Sequence, residues 1–312
     1  MASPGAIVGD PVSLEAEILR LKEEKNAVLL AHNYQRPEVQ EIADHVGDSL
    51  YLSRKAVDDP RPTIVFAGVR FMAETAKILN PAKTVLLPDL AAGCGLADSI
   101  TAEQLRDWKG QHPGAVVVAY VNTSAEVKAE ADYCCTSSNA VRIVRSIPAE
   151  REILFLPDLF LGEYVRQQTG RKLHLWVGDC PVHTRMRPET VAAARLAHPG
   201  APLIAHPECG CASAALPHVD QVLSTDGMVR FAQETRAPEV LVATEVGILH
   251  RMRKLNPTTR FTPLSEAAIC PYMKEIGLED VRDSLAFGQF RIDVPDETAR
   301  KARLSLERMI AG

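Results

Sequence analysis

The 312-residue chain carries seven cysteines, at positions 94, 134, 135, 180, 209, 211 and 270. Its first residues, MASPGAIVGDP, lack the basic and apolar blocks of a secretory signal, and the cysteine count is odd. A disulfide framework is therefore not expected, which leaves metal ligation, catalysis or plain burial. Spacing singles out three of them. Cys94, Cys180 and Cys270 lie 86 and 90 residues apart, and each closes an extended run: TVLLPDLAAGC, LHLWVGDC and FTPLSEAAIC. A lone cysteine reads most simply as a small buried apolar residue, but three at matched places weigh against that reading. Structural zinc prefers four ligands in close pairs, and ferredoxin-like carriers supply four tightly spaced cysteines. Neither pattern is here. Three thiolates on a 4Fe–4S cluster would leave one iron without a protein ligand, open as a Lewis acid for dehydration of a substrate. Cys134 and Cys135 read as buried strand residues. Cys209 and Cys211, in PECGC, read as neighbours of Glu208 in preference to ligands.

The elements that must bring the three cysteines together repeat as well. Runs 27–32 (AVLLAH), 115–120 (AVVVAY) and 201–206 (APLIAH) read as buried strands. Each leads into a polar triplet: His32-Asn33-Tyr34, Tyr120-Val121-Asn122 and His206-Pro207-Glu208. Further on come Asp48-Ser49, Ser137-Ser138 and Thr225-Asp226, placed where helices should start. Second strands follow at TIVFAG, EILFLPD and EVLVATE. Alternating strands and helices predict an α/β fold of three pseudo-symmetric three-layer α/β/α domains around a central cavity. The expected divisions are 18–98, 99–185 and 186–275, with a helical tail over 276–312. In parallel sheets functional groups gather at the carboxyl ends of strands, so triplets, hydroxyls and cysteines should converge.

Composition narrows the partners. Net charge is −5 and no Lys/Arg run exceeds two residues, which argues against nucleic acid. No apolar stretch approaches the ~20 residues needed to span a bilayer. A cytoplasmic protein is expected.

The stretches AHNYQ (31–35), GVRFMAETAKIL (68–79), PDLAAGCGLAD (88–98), YVNTSAEVKAEAD (120–132), CTSSNA (135–140), GDCPVH (178–183), HPEC (206–209) and CPYMK (270–274) together resemble quinolinate synthase. The match runs from about residue 18 to the C-terminus, in the family's order. The resemblance implies three α/β/α domains around a central cavity. It also implies condensation of iminoaspartate with dihydroxyacetone phosphate to quinolinate, phosphate and water, on the path to NAD. By the same resemblance the 4Fe–4S ligands are Cys94, Cys180 and Cys270, and an aspartate-oxidising enzyme is a functional partner. Closely spaced extra cysteines found beside the last ligand in some members are absent from AAIC, so no regulatory disulfide is expected there.

Other site residues follow on chemical grounds. His32, Tyr34, Tyr120, Asn122, His206 and Glu208 match the family's active-site positions at strand ends. Glu208 and Tyr34 are assigned to acid/base work, with His32 and His206 polarising carbonyl or carboxylate oxygens and Tyr120 in the catalytic set. Ser49, Ser137 and Thr225 are assigned to substrate carboxylates and phosphate, against the simpler reading of helix caps. His183 should reach or orient the substrate. His45, His112, His174, His198, His218 and His250 read as ordinary core or surface histidines. Glu74 and Lys77 are expected to pair at i,i+3, and 296–310 to form an amphipathic helix on an outer face. An aconitase-like hydratase on another substrate, or a non-catalytic metal or redox sensor, are the competing readings. Phosphate release separates the synthase from a hydratase.

Overall fold

Three runs of β-branched and aliphatic residues become the centres of three parallel sheets. The computed structural model describes residues 13–211 and 219–311; His218 and residues 1–12 lie outside them. The first sheet contains β1 (Ala27–His32), β2 (His45–Gly47), β3 (Thr63–Ala67) and β4 (Thr84–Leu86). The second has β5 (Val116–Tyr120), β6 (Tyr133–Cys135), β7 (Ile153–Leu156) and β8 (His174–Leu175). The third has β9 (Leu203–Ala205), β10 (Gln221–Val222), β11 (Glu239–Ala243) and β12 (Arg260–Pro263).

Strand order is the same in each, β2-β1-β3-β4, β6-β5-β7-β8 and β10-β9-β11-β12, and every pairing is parallel. Helices flank the sheets, so the central strands are wholly buried and, apart from the closing His32 of β1 and Tyr120 of β5, aliphatic. In this order the chain steps to one side of β1, β5 and β9 and then to the other. The residues just past those strands therefore sit at a topological switch point, where open α/β sheets bind ligands. These are the three polar triplets.

The strands expected to run up to the cysteines stop earlier, at Leu86, Leu175 and Pro263. Pro88 and Pro263 lack the N–H that a ladder needs, and the three cysteines lie in the loops that follow. Gly178, two residues before Cys180, is required by close approach: a Cβ there would come within 2.6 Å of the Pro157 carbonyl oxygen.

A second repeat emerges only in three dimensions. Asp44, Asp132 and Asp220, spaced at 88-residue intervals, stand immediately before β2, β6 and β10. Each carboxylate accepts the N–H of a central-strand residue, Leu29 at 2.7 Å, Val117 at 2.8 Å and Leu203 at 2.6 Å. Each aspartate N–H returns a bond to the carbonyl of that same residue at 2.9–3.0 Å. The clasp fixes the register of a strand only two or three residues long.

The tail returns to the first two units. Helix Leu278–Phe287 packs on helix Leu14–Glu24. Phe290 and Leu87 exchange backbone bonds at 3.0 and 2.9 Å. The amphipathic helix Asp296–Ala311 forms as expected, but it is no mere outer cover. Its Ala302, Ser305, Leu306 and Met309 are buried against helices Arg70–Leu79 and Ala125–Ala129 and against β6. Ser305 Oγ donates to the Lys128 carbonyl at 3.0 Å, and Asn139 Nδ2 donates to the Met309 carbonyl at 3.0 Å.

The expected Glu74–Lys77 pair does not form. Glu74 is buried toward the second unit, accepts from Ala125 N at 3.1 Å and pairs with Arg70 at 3.0 Å. Lys77 instead donates to the Pro81 and Lys83 carbonyls. Among the described residues no helix is long and apolar enough to cross a membrane.

Candidate active site

The carboxyl ends of the three sheets face one cavity. The first unit lends it His32, Tyr34, Ser49 and Cys94. The second lends Tyr120, Asn122, Ser137, Cys180 and His183, and the third His206, Glu208, Thr225 and Cys270. Every residue singled out from the sequence for metal, substrate or acid/base work is therefore in the wall. All three lining cysteines are free thiols. Cys134, Cys135, Cys209 and Cys211 are fully buried away from it, and Cys209 Sγ donates to the Ala243 carbonyl at 3.0 Å.

Two imidazoles are held alike by their own backbones. His32 Nδ1 accepts the N–H of Tyr34 at 3.2 Å, and His206 Nδ1 accepts that of Glu208 at 3.4 Å. An Nδ1 that accepts leaves Nε2 to carry the proton. In His206 that nitrogen lies 3.1 Å from Ser137 Oγ. Burial, aided by neighbouring imidazoles, pushes His32 down to about 3 and His206 to about 4, so both rings are neutral at pH 7.

His183 behaves in the opposite way. Its Nδ1 lies 3.0 Å from Glu208 Oε2 and 3.1 Å from Cys180 Sγ, and its Nε2 lies 2.9 Å from Thr244 Oγ1. Burial disfavours its charge, but the Cys180 sulfur and the Glu208 carboxylate override that and raise it to about 10. Burial would likewise raise Glu208, yet His206 and His183 hold it at about 2. The pair is thus a buried imidazolium and carboxylate. Glu208 Oε1 is buried without a hydrogen-bond partner. Tyr34 Oη bonds Thr244 Oγ1 and lies 3.4 Å from His183 Nε2, and burial pushes its ionisation well above the usual range.

The hydroxyls are free of the capping work that would have explained them away. Ser49 and Thr225 open helices Ser49–Asp58 and Thr225–Glu234, but the caps are Asp48 and Ser224, whose side chains accept from Tyr51 N and Gly227 N. Ser137 lies in the turn before helix Ala140–Ser146.

Several wall residues were not singled out from the sequence. Glu245, fully buried, pairs with Lys274 at 2.9 Å and accepts the backbone N–H of Cys270 at 3.2 Å. Its other oxygen accepts Gly247 N at 2.7 Å. Gly247 must be a glycine, since a Cβ would sit 2.8 Å from Glu245 Oε2, Lys274 Nζ and the Tyr34 carbonyl at once. Asp48 lines the cavity next to Ser49, and Val69, Phe71, Met72 and Met273 supply an apolar face. Glu245 ends the EVLVATE run and Lys274 ends CPYMK, so the signal was a charge at each edge of a recognised stretch.

Ligand-type atoms of Cys180, His183 and Glu208 lie within 4.8 Å of one another. The histidines without motif support pair at the surface: His198 with Glu239, His250 with Glu41, His112 and His174 with Glu152. His45 lies 3.4 Å from the Tyr51 hydroxyl.

Residues 16–311 match the family described as NadA, quinolinate synthetase A protein. A quinolinate synthase from Thermus thermophilus is 56% identical over 302 residues, covering 96% of this chain and 97% of its own. One from Mycobacterium sp. is 55% identical over 305 residues, covering 95% and 90%. Another, from Mycobacterium tuberculosis, is 52% identical over 316 residues, covering 98% and 90%.

Proposed function

Because this chain belongs to the quinolinate synthetase A family, an enzyme family of NAD biosynthesis, we propose that its cavity condenses iminoaspartate with dihydroxyacetone phosphate, yielding quinolinate, phosphate and water. The observation that carries the reading is that one cavity takes a cysteine, a polar triplet and a helix-start hydroxyl from each of three sheets.

We assign Cys94, Cys180 and Cys270 as the ligands of a 4Fe–4S cluster. The donor set fits it: three soft sulfurs, none in a disulfide, face a largely apolar pocket. Burial pushes all three thiols up, Cys94 to about 12, so three thiolates there need a cationic centre to hold them. When bound, the cluster supplies an iron without a protein ligand, a Lewis acid toward a substrate hydroxyl or carboxylate.

The remaining work falls to the chain's own groups. Ser49, Ser137 and Thr225, with Asn122, hold the anionic ends of the substrates. His32 and His206, both neutral and protonated on Nε2, polarise carbonyl or carboxylate oxygens, His206 from a position where its Nε2 also meets Ser137 Oγ. Glu208 accepts a proton at its unpaired Oε1, while His183 holds a proton between its Nδ1 and Oε2. Tyr34 stays protonated at neutral pH and donates from Oη, with Thr244 fixing its direction. Tyr120, beside the Glu208 carboxylate, shares in the proton transfers. In this reading the enzyme works in the cytoplasm, fed by an enzyme that oxidises aspartate to the short-lived imine.

The test is an anaerobic assay of the cluster-loaded enzyme with both substrates. Quinolinate and inorganic phosphate should appear in equal amounts, and Glu208→Gln should lower kcat by about 100-fold or more. Consumption of substrate without phosphate release would overturn the reading in favour of a hydratase.

A further inference from the structure

Thr225 hydroxyl reaches the cavity from the third unit, but its direction is set from the first. Asn33, the middle residue of the His32-Asn33-Tyr34 triplet, is wholly buried. Its Nδ2 lies 3.2 Å from Thr225 Oγ1 and 3.5 Å from Asp226 Oδ1. Its Oδ1 accepts from Arg251 Nη1 at 2.8 Å. Arg251, on helix Ile248–Leu255, is itself anchored by donating to the Val46 carbonyl at 2.5 Å.

The donor inventory fixes the polarity of this chain of groups. Arginine can only donate, so the oxygen of the Asn33 carboxamide must face it and the NH₂ must face Thr225. Thr225 Oγ1 then accepts, and its one hydrogen is released from Asn33 to point elsewhere. The nearby carboxylates do not reclaim it: Asp226 Oδ1 takes the Asp48 N–H at 3.1 Å, and Asp48 Oδ2 takes the Ser138 hydroxyl at 2.6 Å.

We propose that Arg251 and Asn33 are positioning residues that turn the Thr225 hydroxyl hydrogen into the cavity, making it a dedicated donor to an anionic group of one of the two substrates. The inference rests on the anion-binding reading of Thr225 given above. Every link crosses between the first and third units, so the donor is set only when those units are docked as seen here. Two carboxylates, Asp48 and Asp226, stand beside this anion subsite.

A double-mutant cycle on the cluster-loaded enzyme tests it. Thr225→Val should raise the KM for one of the two substrates about tenfold or more, as loss of a hydrogen bond to a charged group does, with the KM for the other little changed. Asn33→Asp keeps size and the Arg251 contact but can only accept. It should raise the same KM by a similar factor, and the double variant should be no worse than about twofold beyond Thr225→Val alone, because the effect of Asn33 passes through that hydroxyl. If Asn33→Asp does not fold, Arg251→Met at a half-buried position replaces it in the same cycle. Effects that multiply in the double variant, or an Asn33→Asp enzyme with unchanged KM, overturn the relay. Unchanged KM values for both substrates in Thr225→Val alone would instead bring down the anion-site assignment.

Discussion

The buried charges nearest the third cysteine show how single residues hold the site. Glu245 is entirely buried, yet it is satisfied on both oxygens by Lys274, Cys270 N and Gly247 N. Lys274 also donates to the Tyr34 carbonyl, so one ammonium ties the third-unit cysteine loop to the first-unit triplet. Removing one partner of a buried pair leaves the other charge uncompensated, at about 3–5 kcal/mol. Lys274→Met should therefore lower unfolding stability by about 3 kcal/mol and reduce iron retention. Adding Glu245→Gln should recover much of the stability. Chemical denaturation of the three variants checks this, and equal stability of Lys274→Met and wild type would contradict it. At this scale the sequence was informative where type and spacing coincide: the three cysteines and the strand-end triplets recur at similar intervals. Glu245, Thr244 and Lys274 carry no such spacing. Their importance comes from which loops the fold lays side by side, and no local pattern encodes that.

Among elements, the central strands were legible because each lies in a mostly aliphatic sequence run, AVLLAH, AVVVAY or APLIAH, even though β9 itself is only three residues long, while β2, β6 and β10 were not. A strand of two or three residues has no periodicity to read, and its place is set by the aspartate before it. The clasp at Asp44 is the most elaborate, since its carboxylate also pairs with Lys22 at 2.9 Å and Arg61 at 3.4 Å. Burial works against its ionisation, but the Leu29 N–H, Lys22 and Arg61 prevail and hold its pKa below the ordinary 3.8. A depressed folded-state pKa means that the stabilisation is present above the unfolded value and is lost as pH falls through the folded one. Asp44→Asn should thus be less stable than wild type at pH 7, with the gap closing below about pH 3.8. Denaturant melts of the apoprotein across that range test it, and a gap that stays constant into acid would refute the clasp's electrostatic part. The same geometry predicts that Asp132→Ala and Asp220→Ala each lose about 1–3 kcal/mol, the cost of an unpaired buried N–H. The hydroxyl positions were also half legible: the helix starts were seen, but Asp48 and Ser224 proved to be the caps.

On the scale of the whole molecule, three similar sheets present the same strand ends to one cavity, and the tail helix is wedged against the first two units. Threefold repetition in the chain gave the architecture away, whereas the tail's burial between units could not be read from an amphipathic pattern that marks a face without naming what covers it. The central claim is that the fold delivers one thiolate per unit to a single iron–sulfur centre. It is tested most directly by counting iron and acid-labile sulfide in anaerobically purified protein and its cysteine variants. The wild-type chain should hold about four irons, as a cubane cluster requires. Cys94→Ala, Cys180→Ala and Cys270→Ala should each lose the cluster, while Cys135→Ala, inside the second sheet, should keep it. Full iron content in any of the first three, or its loss in Cys135→Ala with the fold intact, would contradict the account.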